Sequence, residues 1–384
     1  MAVTESGGGA GTSRAVFFCL SVFGFFILLG ASTINGLLEQ LLLNMWNRRF
    51  SDGSLRYHVY TGFPMIDYLL AMPVSFWVPA LKRFVAVKLQ SVVLYPALQS
   101  LAAWASIEGL RRNREKPLML RFAPLAVFVW MWLGTGVFMG LFCYYDLLFH
   151  YHDRPKKHDQ SVNVPYRYAV LIPFATALAY IWPYVLIHFP PPGLTIAQHH
   201  QVIALNQLGS IFCHLLVTGG ASCFSSSCSD QKLRTEKSDM PWIKCTYALF
   251  GTFSLVLHLA TIGTILRSDD PTVSLSKVLV PKFAHMLGTE RSKSVMMAPE
   301  VHFFLQWDFI LFVVITALWG TRVVENMRSP TAGGWSCSIK AGLMAAFIGL
   351  GYLINPGTIL CTILYLREGL LREYSEIDGE KKST

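Results

Sequence analysis

The sequence predicts an all-α fold, a polytopic bundle of eight to nine transmembrane helices. Of its 384 residues, 53% are hydrophobic and only 14% are charged, whereas soluble domains carry about 25% charged residues. The mean hydropathy is +0.43. Several apolar windows exceed the roughly 18 residues that a helical span requires. These windows are continuous rather than alternating, which favours helices over the strands of a membrane barrel.

The elements follow one another as a single membrane domain over 15–366. A disordered polar segment is expected over 1–14. The first apolar run could be a cleaved signal peptide, but we expect an uncleaved span because no early positive charge precedes it. A segment over 63–81 contains three prolines, so it is either a kinked span or a re-entrant piece. A charged C-terminal tail is expected over 367–384. The firm spans are predicted over 15–31, 84–107, 121–146, 166–188, 201–223, 243–266, 301–322 and 339–366.

The charge pattern indicates membrane lipids as partners and not nucleic acid. The formal net charge is +9, but Lys and Arg lie in short clusters between apolar windows, such as "RRNREK" over 111–116. We expect these clusters to decorate loops that face anionic headgroups. The loop charges are too evenly divided to fix the orientation, and the oligomeric state stays open. Lys381 and Lys382 are fourth and third from the end, as in dilysine signals for retrieval to the endoplasmic reticulum.

Cysteine and histidine spacings predict neither a metal site nor a cofactor. Cys223 and Cys228 could pair in an oxidising lumen, but no CxxC pair has zinc-ligand spacing. Histidines over 150–152 and 199–200 lack acid partners at recognised spacings. P-loop, Rossmann and GxSxG motifs are absent, as are the Asp-rich magnesium motifs of ionising prenyl-transfer enzymes. We therefore expect chemistry without metal or diphosphate.

One acidic residue is predicted to lie deep inside a membrane helix, where an ionisable side chain is energetically costly. In "PEVHFFLQWDFILF" over 299–312, Pro299 is well placed to begin a helix. Asp308 would then lie about 13 Å along the helix axis, well below the headgroups. A deep ionisable side chain indicates function, so Asp308 is the leading candidate for a proton donor. The alternative is that it only pairs with a polar group of another span.

Neighbouring residues of the same stretch complete this candidate site. Glu300 lies two turns earlier, offset by about 80° around the helix, and is a possible second acid. An acid in a first turn also suits a helix N-terminus without any further role. Gln306 and His302 are predicted to hydrogen-bond the conjugate base of Asp308 as charge develops.

Three further acids are candidates on other segments. Asp146 ends a predicted span and would serve as a second acid or final base, and Asp67 and Glu39 would join the supporting shell. For Asp146 and Asp67 the alternative is an ordinary interfacial acid. For Glu39 the alternative is a polar cluster at a helix end.

Aromatic residues accompany these acids within or beside the spans. Such residues form interfacial belts in any membrane protein, but an acid in an apolar cavity walled by π-faces also suits proton-initiated cyclisation of a polyene. The aromatic faces would stabilise a carbocation, and the cavity would shield it from water. The residues concerned are Trp130, Trp132, Tyr144, Tyr145, Tyr180, Trp182, Tyr184, Trp307 and Trp319.

A late predicted span opens with an acid and continues "HFFLQWDFILF", and the whole chain is predicted to lie in the membrane. In these features and in its length, the chain resembles the fungal integral-membrane terpene cyclases of meroterpenoid biosynthesis, of the macrophorin and ascochlorin type. The resemblance implies protonation of a terminal alkene or epoxide on a prenylated aromatic or quinone-like substrate. Ring closure without metal would follow. The residues to which the resemblance extends are Glu300, Gln306 and Asp308.

Two other functions remain open from the sequence. A proton-coupled transporter of small molecules or lipids would use the same acids to carry protons or bind a cation, and inverted repeats or paired broken helices would favour it. A non-catalytic membrane scaffold would pair the acids only with one another.

Overall fold

The computed structural model describes residues 8–82, 84–112, 116–152, 162–223, 238–287, 297–327 and 335–383. Throughout these ranges the regular elements are helices, and the extended pairing is an isolated bridge between Arg49 and Leu55. The predicted all-α transmembrane bundle is confirmed.

The first part of the chain forms helices of very different lengths. A wider π turn over Phe26–Gly30 follows the helix that ends at Phe25, and another over Leu148–His152 follows the helix that ends at Leu147. The helices are α1 (Gly8–Phe25), α2 (Ala31–Ile34), α3 (Leu37–Asn47), α4 (Pro64–Lys82), α5 (Val85–Leu110), α6 (Leu118–Arg121), α7 (Ala123–Leu133), α8 (Thr135–Leu147) and α9 (Tyr166–Ala169).

The second part contains the longest helices. A π turn over Ala177–Ile181 joins the first two of its members. They are α10 (Ile172–Thr176), α11 (Trp182–His188), α12 (Ile196–Asn206), α13 (Gly209–Cys223), α14 (Met240–Leu266), α15 (Leu275–Leu279), α16 (Ala298–Met327), α17 (Cys337–Ile354) and α18 (Pro356–Ser383). Helix α16 begins one residue before Pro299, as the sequence predicts.

Seven helical segments in the described part of the chain are long and apolar enough to cross a membrane. The pair α12 and α13, bent by 72°, would make eight. The segment over 63–81 is one of the seven, since it forms the continuous helix α4. The span expected over 121–146 is not formed, because Gly134 (φ 92°, ψ 136°) separates α7 from α8. Asn355 likewise divides the span expected over 339–366 into α17 and α18.

Helices α5 and α16 form the centre of the bundle. In their apolar windows, 78% of α5 and 72% of α16 is buried inside the protein, against 6% of α17. Helix α17 therefore presents its surface to lipid. A polar side chain on α16, by contrast, faces other helices rather than hydrocarbon.

Glycines bring α1 and α16 close to the first turns of α8. Gly136 and Gly140 lie four residues apart, a spacing that lets helix backbones meet in membranes. A β-carbon at Gly136 would lie 2.5 Å from Cδ1 of Leu311, and one at Gly140 would lie 2.7 Å from the carbonyl oxygen of Phe17. The start of α8 is therefore fixed against α16.

We expect Gly140→Ala to lower the melting temperature of the detergent-solubilised protein, because overpacking of a close contact costs about 1–3 kcal/mol. Gly349→Ala on α17 is the matched control, since its β-carbon would meet no atom within 4 Å. Alanine favours a helix over glycine, so the control keeps or raises the melting temperature. Thermal unfolding followed by size-exclusion chromatography measures both, and equal values for the two variants would contradict the contact between α1 and α8.

Candidate active site

The Asp308 carboxyl is buried at the centre of the bundle, where it meets the beginning of α8. Its side chain is on α16, and the residue is 3% exposed. The Oδ1 atom accepts a hydrogen bond of 2.7 Å from the backbone N–H of Gly136, and the backbone N–H of the preceding Thr135 interacts electrostatically with the same carboxyl. The partner of this acid is thus the backbone of another helix.

This partner exists because α8 begins inside the protein. Gly134 takes a positive φ of 92° and interrupts the preceding helix, which leaves the first N–H groups of α8 without helical acceptors. These groups also carry the positive end of the helix dipole. A negative charge on Asp308 is therefore stabilised where it lies.

The same carboxyl lines a largely apolar cavity. Among the described residues that line this cavity, Asp308 carries the single ionisable side chain. Trp130 and Trp132, which the sequence analysis named, lie in the wall, and so does Trp77, which it did not name. Phe76 and Phe304 add an edge-to-face pair with ring centroids 5.4 Å apart. The acid thus faces a space walled mainly by aromatic and aliphatic groups.

Gln306 and His302 do not contact Asp308, contrary to the expectation from the sequence. The Nε2 atom of Gln306 donates to the carbonyl oxygens of Lys277 and Val278, both at 3.0 Å, and Nε2 of His302 is 3.1 Å from the oxygen of Val278. Both side chains therefore hold α15 against α16. The reason is geometric, because Gln306 is two residues from Asp308 and points to a different side of the helix. His302 lies four residues before Gln306 and therefore shares the side of Gln306.

Glu300, Asp67 and Glu39 also lie away from the cavity wall. Glu300 is buried in the first turn of α16 and is not among the residues that line the cavity. Asp67 accepts hydrogen bonds from the backbone N–H groups of Thr61 and Gly62, at 2.6 and 3.1 Å, and so fixes the loop before α4. Glu39 is exposed in the first turn of α3.

Asp146 belongs to a separate, fully buried ionic cluster. Its Oδ1 accepts from Nη2 of Arg367 at 3.0 Å, and its Oδ2 accepts from Nε1 of Trp319, also at 3.0 Å. Arg367 also binds Glu108 at 3.2 Å, and Glu108 binds Nε of Arg111 at 3.0 Å. The cluster ties α18 to α5 and α8.

This cluster is not evident from the sequence, because its basic members look like surface charges. Arg367, assigned to the charged tail, is completely buried, and Glu368 beside it contacts Arg111. Arg111 and Lys116 were expected to decorate a loop, which is wrong, since both are buried. The Nζ of Lys116 donates to the carbonyl oxygen of Glu108 at 2.6 Å, and burial lowers the pKa of Lys116 to about 8.

The same cluster contains the one group of residues in the described ranges with metal-ligand geometry. Glu108, Asp146 and His150 bring their ligand atoms within 4.8 Å of one another. Arg111 and Arg367 already bind these carboxylates, and their guanidinium charges oppose a divalent cation. We therefore assign no metal to the cluster.

The possible disulfide partner of Cys223, Cys228, lies outside the described residues.

The geometry defines a buried acid that faces an aromatic cavity, on a helix long and apolar enough to cross a membrane. The chain belongs to the CtvD domain family, whose model matches residues 13–371. Two curated fungal relatives are both named terpene cyclase DEP1. The Fusarium langsethiae protein is 24% identical over 369 residues, covering 93% of this chain and 98% of the relative. The Alternaria brassicicola protein is 23% identical over 378 residues, with the same coverage. No solved structure matches the chain.

We expect Arg367→Ala to destabilise the protein by about 3–5 kcal/mol, because it leaves Asp146 and Glu108 buried without their shared cation. Arg322→Ala is the control, since Arg322 pairs with Glu325 at the partly exposed end of α16, and such a pair contributes about 0–1 kcal/mol. Thermal unfolding in detergent compares the two variants. Similar losses of stability would show that the buried cluster does not anchor α18.

Proposed function

We propose that this chain is a membrane terpene cyclase in which Asp308 protonates the terminal alkene or epoxide of a prenylated aromatic substrate. The observation that carries the proposal is the position of Asp308, which is the one charged side chain among the described residues that line a largely apolar, aromatic cavity. The names of the two fungal relatives support the class of reaction. The product would be a meroterpenoid.

The reaction needs an acid whose conjugate base is stabilised. Transfer of the Asp308 proton to the terminal alkene, or to the epoxide oxygen with opening of the C–O bond, leaves a carbocation on the prenyl chain and a carboxylate on α16. The N–H groups at the start of α8 face that carboxylate before the reaction begins, so no rearrangement is required to stabilise it.

The cavity wall suits the carbocation that follows. The electron pair of an internal double bond attacks the cation and closes a ring, and the positive charge moves along the chain. Trp77, Trp130 and Trp132 present π-faces that stabilise such a charge, and the apolar wall keeps water away. Loss of a proton from a neighbouring carbon to the Asp308 carboxylate restores an alkene and returns the acid to its starting state. The product is therefore an isomer of the substrate.

This proposal assigns the chemistry to Asp308 and gives Glu300 and Asp146 no contact with substrate. It requires no metal, since the proton starts the reaction. Residence in the endoplasmic reticulum membrane is part of the proposal, supported by Lys381 and Lys382 near the C-terminus.

A proton-coupled transporter is the second candidate, because broken helices are a feature of transporter binding sites. The bend between α12 and α13 and the break at Asn355 are such features. Formation of an isomeric product distinguishes a cyclase from a transporter, which returns its substrate unchanged.

We expect Asp308→Asn to reduce cyclisation by at least about 100-fold, the lower end of what general acid catalysis contributes. Asparagine keeps a side-chain oxygen as acceptor for Gly136 but has no acidic proton. Microsomes that contain the chain are incubated with farnesylated phenols, with and without a terminal epoxide, in the presence of EDTA. Chromatography with mass detection follows a product of unchanged mass.

Glu325→Gln is the control for this experiment, since it removes a carboxyl from the same helix at a surface ion pair with Lys340. It should leave conversion unchanged. Conversion that survives Asp308→Asn would refute the assignment of the proton donor, and absence of any isomer from the unmodified protein would refute the cyclase.

A further inference from the structure

The cavity beside Asp308 reaches the surface of the protein at Leu38. Most of the described residues that line the cavity are buried, but Leu38, in the first turn of α3, is 37% exposed and is the most exposed of them. Smaller exposed parts belong to Leu29, in the π turn before α2, and to Met131 and Trp132 at the end of α7. We call the opening at Leu38 the mouth of the cavity.

The turn between α2 and α3 fixes the position of Leu38. Gly36 takes a positive φ of 84°, in the left-handed region that glycine adopts without strain. The side-chain oxygen of Asn35 accepts a hydrogen bond of 3.1 Å from the backbone N–H of Leu37. The Nδ2 atom of Asn35 donates to the carbonyl oxygen of His285 at 3.2 Å. Helix α3 therefore begins at a defined place, with Leu37 buried in the cavity wall and Leu38 at its edge.

The protein surface that continues from the mouth along α3 is apolar. Leu42 and Trp46 follow Leu38 at intervals of four residues and so share its side of the helix, and they are 49% and 76% exposed. Arg48 and Arg49, both exposed, follow at the end of the helix. Exposed leucines with a tryptophan and arginines at one end are typical of a helix at the boundary between membrane and water. The mouth therefore faces lipid.

We propose that the substrate enters and leaves the cavity laterally, directly from the bilayer, through the mouth at Leu38. This inference rests on the proposed cyclase function. A prenyl chain partitions into hydrocarbon, so a route that opens to lipid avoids transfer of the chain through water. Glu39, next to Leu38, is exposed, which places the mouth close to the headgroups. The polar head of the substrate stays at that level while its tail enters.

This route makes Leu38 a residue that controls the rate of ligand exchange and not the equilibrium affinity. The ligand passes the same side chain when it enters and when it leaves, so a larger side chain slows both steps together. Loss of a binding contact acts differently, because it mainly raises the dissociation rate. The two rates together thus distinguish a residue at the mouth from one that holds the bound ligand.

We expect Leu38→Trp to slow both binding and release of a tritiated farnesylated phenol at least about tenfold, within the range over which mutations change association rates. Asp308→Asn is included in every variant so that the ligand is not converted. The dissociation constant should stay within about twofold, because both rates fall together. Leu38→Ala should speed both steps. Timed mixing, and a chase with unlabelled ligand, measure the two rates on spin columns that retain free ligand.

Leu42→Trp is the matched control for these rates. Leu42 lies one turn further along α3, is exposed like Leu38, and does not line the cavity. The same added bulk at this position should change neither rate. The melting temperatures of the two tryptophan variants should be similar, since both positions are exposed.

Photo-cross-linking in phosphatidylcholine nanodiscs tests whether the mouth opens to lipid. The photoreactive residue p-benzoylphenylalanine, which inserts into neighbouring C–H bonds, replaces either Leu38 or Leu42 in the Asp308→Asn protein. Without ligand we expect phospholipid adducts at both positions. With farnesylated phenol, the adduct at position 38 should change from phospholipid to the phenol, whereas position 42 should keep its phospholipid adduct. Mass spectrometry of the modified peptides identifies each adduct.

The outcomes separate this inference from the proposed function. Absence of a phospholipid adduct at position 38, when position 42 forms one, means that the mouth faces water and overturns the inference. Absence of a phenol adduct at position 38, or unchanged exchange rates in both Leu38 variants, overturns it even if cyclisation occurs. Displacement of lipid by the phenol at position 38, with both rates lowered by Leu38→Trp, supports it. Failure of the cyclase proposal shows itself separately, as exchange through the mouth without any isomeric product.

Discussion

The hydrogen bond between Asp308 and Gly136 joins the fold of this protein to its proposed chemistry. The first N–H groups of a helix lack partners, and a carboxyl in the centre of a membrane protein lacks water. The 2.7 Å contact satisfies both. It exists only because Gly134 stops α7 and lets α8 begin inside the bundle. The interruption that prevents 121–146 from forming one span is thus the feature that supplies the acid with its donor.

Asp146 and Asp308 are both buried, but different groups stabilise their negative charges. Asp146 is bound by the guanidinium of Arg367 and by Trp319, and it does not line the cavity. Asp308 is bound by neutral backbone donors and faces an open space. A carboxyl paired with a permanent cation holds helices together, whereas one paired with N–H groups can exchange its proton with a ligand. The nature of the partner, rather than the degree of burial, distinguishes the structural acid from the proposed proton donor.

The apolar windows and the depth of Asp308 could be predicted from the sequence, because they depend on composition and helical rise alone. Helix geometry could also have predicted that the Gln306 side chain points away from Asp308, since two residues along a helix turn the side chain by about 200°. Arg367 could not be predicted as a core residue, because its partner Asp146 lies 221 positions away and a run of charges after a span resembles a tail.

The donors at the start of α8 belong to the main chain, and this affects how such a protein can evolve. A side-chain donor is lost in one substitution at any such position, whereas these backbone N–H groups are lost only by proline at their own positions or by a change at Gly134, which sets the start of α8. The walls of the cavity are side chains and can change one at a time. New cavity shapes, and with them new ring systems, are therefore accessible by point mutation while the support of the acid is inherited unchanged.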